Sequence, residues 1–350
     1  MALKSHATLL DDIQSLLGGN TTDFTDAILT TRLAEGLQEL SRYSPLIVKE
    51  TLFTTDDSKE LDTSGIENLL WIDSLEYKVD KDPRQWRNFI EHYRNTISME
   101  IDSDPADTDS GIDTNEALDT SETGVDCDAD ATTAIPVGTV IRVDNELMLV
   151  SVTGTSLTVV RGFANSTAAT HTTDADIVIP EKVYIYTAKA HVVPTLTDLA
   201  GAVDLTAGYA AGELAMHVDA LGTTDLLLTD MEFTLASDST GTVYHLTADT
   251  QLATSEGDIE FSPGLAEAIA NDDVITFKNS TLSPRLETLL IDLVASRAAI
   301  SNSTKFFDSY NVIPGMSTAR EYRDWGLNLL AITIRKLEHE AKKFRKPAKV

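Results

Sequence analysis

Side chains able to bind an ion or to react are most concentrated in an acidic segment, residues 107–116. It contains four Asp or Glu residues and Asn115, the oxygen-bearing side chains that Ca²⁺ prefers. An EF-hand loop needs glycine at its sixth position, but Gly111 is fifth when the count begins at Asp107. We therefore interpret the segment as a solvated acidic linker, with a calcium loop as the alternative. We expect no metal ligands.

Patterns for catalysis are otherwise missing from the sequence. Cys127, the single cysteine, lies where apolar residues alternate with aspartates from Val125 to Asp130. This alternation predicts an edge strand with an acidic outer side and a buried or half-buried thiol. The seven histidines include no pair at zinc-site spacing, and neither a phosphate-binding glycine loop nor a GxSxG sequence occurs. We expect no catalytic residue, no cofactor and no enzymatic activity.

A cluster of arginines and aromatic residues points instead to binding. Such residues are enriched at protein interfaces, so Arg84, Trp86, Arg87 and Phe89 are interface candidates. The alternative is a turn at the edge of the core, with Trp86 buried and the arginines paired with nearby acids.

The basic C-terminal tail is a second binding candidate. Lys342, Lys343, Phe344, Arg345 and Lys346 place four cations within five residues of a very acidic chain. Favourable charge at a helix C-terminus is the simpler explanation. We interpret the tail as a docking segment for an acidic partner surface or for nucleic acid.

The secondary structure predicted from the sequence is helical at both ends of the chain and β-rich between them. Helices are predicted from Thr8 to Leu17, from Thr22 or Asp23 to Pro45, after Ser283, and after a capping box at Thr318. Alternating apolar residues predict short strands in between. The predicted fold class is α+β, with a discontinuous helical domain and two inserted β-rich domains. The helical domain comprises residues 1–104, 182–193 and 282–350, and the β modules are residues 105–181 and 194–281.

The two β blocks share a weak sequence similarity. Residues 125–133 and 216–224 each contain Asp-Ala at the end of a predicted strand, followed by two adjacent threonines. The similarity indicates either a duplicated module or a chance resemblance.

Charge restricts the classes of partner. The 350 residues include 56 acidic and 27 basic side chains, giving a formal net charge of −29. Such a surface repels phosphate, which excludes a conventional nucleic-acid-binding protein and disfavours an anionic membrane. No apolar run is long enough to span a bilayer, and the first residues lack an apolar signal core, so we expect a soluble protein made in a cytoplasm.

Several of these features resemble the head–tail connector (adaptor) proteins of tailed bacteriophages. The resemblance rests on the two leading helices, the segment Leu75–Arg87 with its Asp82-Pro83-Arg84-Gln85-Trp86 turn, the strand Thr96–Ile101 and the closing capped helix. In addition, Ile141–Val150, Leu157–Gly162 and Thr167–His171 resemble a small β module that recurs in phage structural proteins. The second β block and the acidic stretch depart from the compact members of the family.

The resemblance implies a structural role in the phage neck. Connectors form a ring, typically of about twelve subunits, beneath the portal at a capsid vertex, where they extend the DNA channel and present a platform for the tail. The implied partners are the portal protein, tail or nozzle proteins and copies of itself, with genomic DNA passing through the lumen and no membrane. By position, Lys342, Lys343, Phe344, Arg345 and Lys346 match the segment that docks into the portal. The implied location is the virion neck, after assembly in the host cytoplasm.

Three other classes stay open. One is another virion structural protein, from the tail or decorating the capsid. A calcium-dependent surface adhesin would explain the acidity and the threonine-rich β blocks. The third is an enzyme with a β-rich substrate domain.

Overall fold

The computed structural model describes residues 4–92, 95–195, 199–224, 226–278, 280–303 and 319–344. These residues form a mixed α+β protein. No helix in these ranges is both long and apolar enough to cross a membrane. In chain order, the elements are α1 (His6–Leu16), α2 (Asp26–Tyr43), β1 (Leu46–Phe53), β2 (Glu60–Asp62), β3 (Leu69–Glu76), β4 (Trp86–Arg87), β5 (Phe89–His92), β6 (Thr96–Met99), β7 (Thr108–Asp113), β8 (Gly124–Asp126), β9 (Val140–Val143), β10 (Glu146–Val152), β11 (Ser156–Val160), β12 (Asp176–Ile179), β13 (Lys182–Lys189), β14 (Leu199–Val203), β15 (Ala215–Asp219), β16 (Leu226–Leu227), β17 (Glu232–Leu235), β18 (Tyr244–Leu246), β19 (Thr250–Gln251), β20 (Gly257–Ser262), β21 (Val274–Phe277), α3 (Pro284–Ser303) and α4 (Ala319–Phe344).

The helices from the two ends of the chain share one apolar core. Helix α3 is at its centre and is buried on most sides, whereas α1, α2 and α4 each bury one stripe. Pro284 is the first residue of α3, as predicted, and the Ser283 hydroxyl accepts a hydrogen bond from the Leu286 N–H at 3.4 Å. Helix α2 begins at Asp26, later than predicted, because the Asn20 side chain accepts hydrogen bonds from two following N–H groups and closes a separate turn.

A four-stranded antiparallel sheet adjoins the helices, with strand order β1-β13-β3-β4. Strand β13 pairs with β1 along its whole length and with β3 on its other side, although residues 100–181 separate it from β6 along the chain. A three-stranded sheet, β2-β6-β5, packs on it through a core that includes Leu61, Leu75, Ile97 and Ile185. The sheet therefore brings together strands from distant parts of the sequence.

The two β-rich blocks have the same strand topology. In the first, the order is β7-β12-β9-β10-β11-β8, and a Thr114–Cys127 bridge joins its two edges; the second is a closed barrel, β14-β15-β20-β18-β17-β21. We number the six strands of each block from 1 to 6 in chain order and leave out the separate β16-β19 pair. Starting at strand 1, and following the barrel in the opposite direction to the one written above, both blocks have the neighbour order 1-6-3-4-5-2. In both blocks an isolated β-bridge also connects the loop between strands 1 and 2 to the loop between strands 5 and 6. The bridge is Leu118–His171 in the first block and Tyr209–Ile269 in the second. The similar segments 125–133 and 216–224 both begin in strand 2, which favours duplication over chance.

The acidic segment is not the solvated linker that we expected. Residues 108–113 form β7, which pairs with β12, and Asp107 forms an ion pair with the buried Arg142. Strand β8 covers only the start of the predicted edge strand, and the Thr114–Cys127 bridge joins its outer side to the segment after β7. Cys127 is buried, as predicted. Burial raises the pKa of the Cys127 thiol to about 11, so the thiol stays protonated at neutral pH.

Buried polar contacts attach the barrel to the rest of the chain. The Lys189 ammonium, at the end of β13, lies 2.9 Å from Glu50 on β1 and 2.6 Å from Asp230 of the barrel block. All three side chains are buried. Nearby, the His191 ring contacts the Ser44 carbonyl after α2 and the Thr281 hydroxyl before α3, each at 2.9 Å.

Candidate interaction surface

One side of the four-stranded sheet carries a group of apolar, aromatic and cationic side chains, half of them exposed and half of them half-buried, which we call the sheet face. Side chains alternate along a strand, so the antiparallel register decides which residues share a side. Lys49 pairs with Tyr186, Thr51 with Tyr184, and Ala188 with both Ile47 and Trp71. Glu76 pairs with both Tyr184 and Trp86, which extends the same side to the edge strand β4. The sheet face consists of Ile47, Lys49, Trp71, Trp86, Tyr184 and Tyr186.

The apolar residues of this face are unusually exposed for their size. Ile47, Trp71 and Trp86 are 38%, 40% and 42% exposed, whereas Val48 and Ile185 on the opposite side of the sheet are fully buried. Single exposed apolar residues are ordinary, but several on one sheet surface are typical of a binding site.

Polar contacts fix the orientation of the aromatic rings. The Trp86 and Tyr186 rings lie 5.3 Å apart between centroids, and the Lys49 ammonium is 4.0 Å from the centre of the Tyr184 ring. Arg84 donates a hydrogen bond to the Tyr186 hydroxyl at 3.1 Å, and this hydroxyl donates to Glu76 at 3.2 Å. Rings held in place in the free protein lose little conformational entropy on binding, which favours affinity.

The ionisation of the face suits binding better than proton transfer. Burial, reinforced by Asp80, raises the pKa of the Tyr184 hydroxyl to about 12, and burial also raises the pKa of Tyr186. Burial lowers the pKa of Lys49, while Asp80 and Glu76 act in the opposite direction. At neutral pH both phenols are therefore protonated, and each already donates its one proton within the chain, Tyr184 to Asp80 at 3.3 Å and Tyr186 to Glu76.

Only two of the four residues predicted from the Arg and aromatic cluster belong to this surface. Trp86 is on the sheet face, and Arg84 borders it through Tyr186. Arg87 instead donates hydrogen bonds to the Tyr77 carbonyl at 2.7 Å and to the Gln85 side chain at 2.8 Å. Phe89 is half-buried against the core between the two small sheets. The four residues therefore do not share one surface, because neighbouring residues of a strand point to opposite sides, and their role at an interface stays a prediction.

The other members of the sheet face could not be grouped from the sequence. Tyr184 and Tyr186 alternate with apolar residues, which is a visible local signal. The alternation does not say that these tyrosines meet Lys49, Trp71 and Trp86, since that depends on β13 pairing with strands more than 100 residues earlier in the chain.

The basic tail is described only in part. Lys342 is exposed near the end of α4, and Lys343 and Phe344 are the last residues of that helix. Arg345 and Lys346 are outside the described residues. The docking role of these five residues stays a prediction.

A cleft of about 390 Å³ lies where β1, the first β block and the barrel meet. Its lining includes Glu50, Asp62, Glu67, Asp249 and Glu260, and burial raises the pKa of Glu260. Within the described ranges, no group of three or more His, Cys, Asp or Glu side chains is arranged to hold a metal ion. We assign no ligand to this acidic cleft.

Comparison of the chain with protein-family models, with curated proteins and with solved structures finds no match in any of the three.

Proposed function

We propose that this protein is a structural subunit of the neck of a tailed bacteriophage, a head–tail connector that forms a ring beneath the portal. The observation that carries the proposal is the sheet face. Trp, Tyr and Arg are the residues most enriched at the energetic centres of protein interfaces, and here Trp71 and Trp86 are solvent-exposed, with Trp86 packed against the half-buried Tyr186. A subunit that must contact several other proteins needs such a surface.

The chain topology supports this proposal. In our interpretation, the four helices and the sheet β1-β13-β3-β4 form the adaptor domain, and the two related β blocks are its insertions. Strand β13 is then the part of the adaptor domain that connects the two insertions along the chain. Insertion of whole modules is tolerated where the two ends of a module lie close together on a host domain.

The charge of the chain supports the proposed DNA channel. Genomic DNA must pass through the lumen without binding to it, and a subunit with a net charge of −29 repels phosphate. The proposed partners are the portal protein, tail or nozzle proteins and about twelve copies of the chain itself. The C-terminal residues Lys342 to Lys346 would dock into the portal, and the ring would serve as the platform for tail attachment.

Substitution of Trp86 tests the proposal through its central observation. We expect Trp86→Ala to weaken assembly with the portal ring and a tail or nozzle protein of the same virus by tenfold or more, since an interface hot spot contributes about 2 kcal/mol. Native mass spectrometry of a titration would measure the affinity. Val274→Ala is the matched control, because Val274 is an exposed apolar residue of the barrel, outside the sheet face.

Unchanged assembly by Trp86→Ala, with a melting temperature equal to wild type, would remove the sheet face from the interface. Binding of the wild-type chain to tail proteins but never to the portal would favour the alternative of another virion structural protein.

A further inference from the structure

A buried lysine lies between two carboxylates where the four-stranded sheet meets the barrel. The Lys189 ammonium is 2.6 Å from Oδ1 of Asp230 and 2.9 Å from Oε1 of Glu50. The side chains of Lys189, Asp230 and Glu50 are 1%, 0% and 8% exposed. An amine and a carboxyl group that are held in contact and shielded from water have the arrangement that amide formation needs, because proximity replaces a bimolecular encounter.

We propose that Lys189 and Asp230 condense within the folded chain to an isopeptide bond between Nζ and Cγ, with Glu50 relaying the proton. Lys189 is the last residue of β13, and Asp230 lies 41 residues later in the barrel block, so the bond joins the sheet to the barrel covalently. Before condensation, the same three groups hold the barrel as an ion-pair cluster. The reaction depends on these side chains alone and does not require the chain to assemble into a ring.

The reaction begins when the Lys189 ammonium passes a proton to the Asp230 carboxylate, which gives a neutral amine and a neutral acid. Burial raises the pKa of Asp230 to about 6, although Lys189 acts in the opposite direction, so the protonated acid is accessible. The Nζ lone pair then attacks Cγ, and the Glu50 carboxylate takes a proton from Nζ. Glu50 returns this proton to the departing hydroxyl, so the Cγ–O bond breaks, one water molecule leaves and Glu50 is again a carboxylate.

The surroundings of the cluster favour this reaction. The Asn68 amide donates a hydrogen bond to Oδ2 of Asp230 at 3.4 Å, where negative charge develops in the tetrahedral intermediate. Glu50 also lines the acidic cleft, which gives the released water a route to solvent. Lys278 and Glu232 form a pair at the same distance of 2.6 Å, but their side chains are 30% and 14% exposed. Water hydrates both charges there, so this second pair stays ionic.

Intact-mass spectrometry of the full-length chain, folded and then denatured, tests the proposal. We expect wild type to be lighter than the mass of its sequence by one water molecule. Glu232→Gln, which removes the carboxylate of the more exposed pair, is the matched control and should show the same loss. Glu50→Gln should keep the full mass of its own sequence, because it preserves the size of the side chain but cannot relay the proton. Asp230→Asn should lose one ammonia molecule in place of water, since nitrogen is then the leaving atom.

A protease digest of the denatured wild-type chain locates the bond. Cleavage after Tyr209 separates the two positions along the chain, so the bond should leave a branched peptide that joins the segment with Lys189 to the segment with Asp230. Wild type with the full mass of its sequence, even after long incubation at about pH 6, would overturn the proposal. A loss of water that persists in Asp230→Ala or Lys189→Met would also overturn it, because the dehydrated site would then lie elsewhere. Equal loss from folded Glu50→Gln would remove Glu50 from the reaction.

Discussion

At the scale of single residues, the most informative side chain is His191, which holds three distant segments together. Its Nε2 contacts a carbonyl oxygen, that of Ser44, so Nε2 carries the proton and Nδ1 accepts from the Thr281 hydroxyl. Burial lowers the pKa of His191 to about 4, although both hydrogen-bonding neighbours act in the opposite direction. The ring is therefore neutral at pH 7 in the folded chain.

His191 should make the protein less stable as the pH falls. Below its ordinary pKa of about 6.5 the unfolded chain binds a proton that the folded chain does not, so stability present above pH 6.5 is lost between about pH 6.5 and 4. The loss amounts to about 3 kcal/mol near pH 4. We expect the free energy of unfolding of wild type to approach that of His191→Gln over this range, as measured by urea denaturation.

The control for this prediction is His92→Gln, since His92 is exposed and should leave the pH profile of wild type almost unchanged. A constant difference between wild type and His191→Gln from pH 7.5 to 4.5 would contradict the account of His191.

The sequence predicts single residues well where the signal is local. The burial of Cys127 follows from the alternation of its neighbours. The roles of Lys189 and His191 have no local signal, because their partners Glu50, Asp230, Ser44 and Thr281 are distant in the chain.

At the scale of elements, the long periodic segments were predictable and the short ones were not. The sequence predicts extended segments from Leu46 to Phe53, Glu146 to Val152 and Ser156 to Val160, and β1, β10 and β11 begin and end at these residues. Strands β4 and β5 were missed, since two to four residues are too few for alternation to be distinguished from chance. The sequence similarity of the two β blocks was too weak to decide on duplication, and the shared strand order provides the stronger argument.

The attachment of the barrel to the sheet depends on a buried lysine. Burial alone would lower the pKa of Lys189, but Glu50 and Asp230 raise it above its ordinary value. Removal of one carboxylate leaves the buried ammonium under-compensated, which costs about 3–5 kcal/mol in comparable cases. We therefore expect Asp230→Ala to lower the free energy of unfolding by about this amount in chemical denaturation.

A double variant separates charge from packing in this cluster. Lys189→Met with Asp230→Leu removes the ammonium and its barrel partner together and should recover part of the stability that Asp230→Ala loses. Asp204→Ala, at an exposed position of the barrel block, should change stability by no more than about 0.5 kcal/mol. Equal stability of Asp230→Ala and Asp204→Ala would show that the buried cluster contributes little to the attachment.

At the scale of the whole molecule, the sequence predicts the mixed α+β class from the helical ends and the alternating middle. The sheet face could not be predicted, because it exists only once β13 lies between β1 and β3. This surface is a property of the assembled fold, and it favours a molecule built to contact other proteins.

If this molecule is a subunit of a connector ring, its assembled mass should show it. Light scattering or native mass spectrometry would determine the mass of the protein alone and after mixing with the portal ring of its virus. The account predicts a portal-dependent complex that gains about twelve copies of the chain. A protein that remains monomeric and leaves the mass of the portal ring unchanged would contradict it.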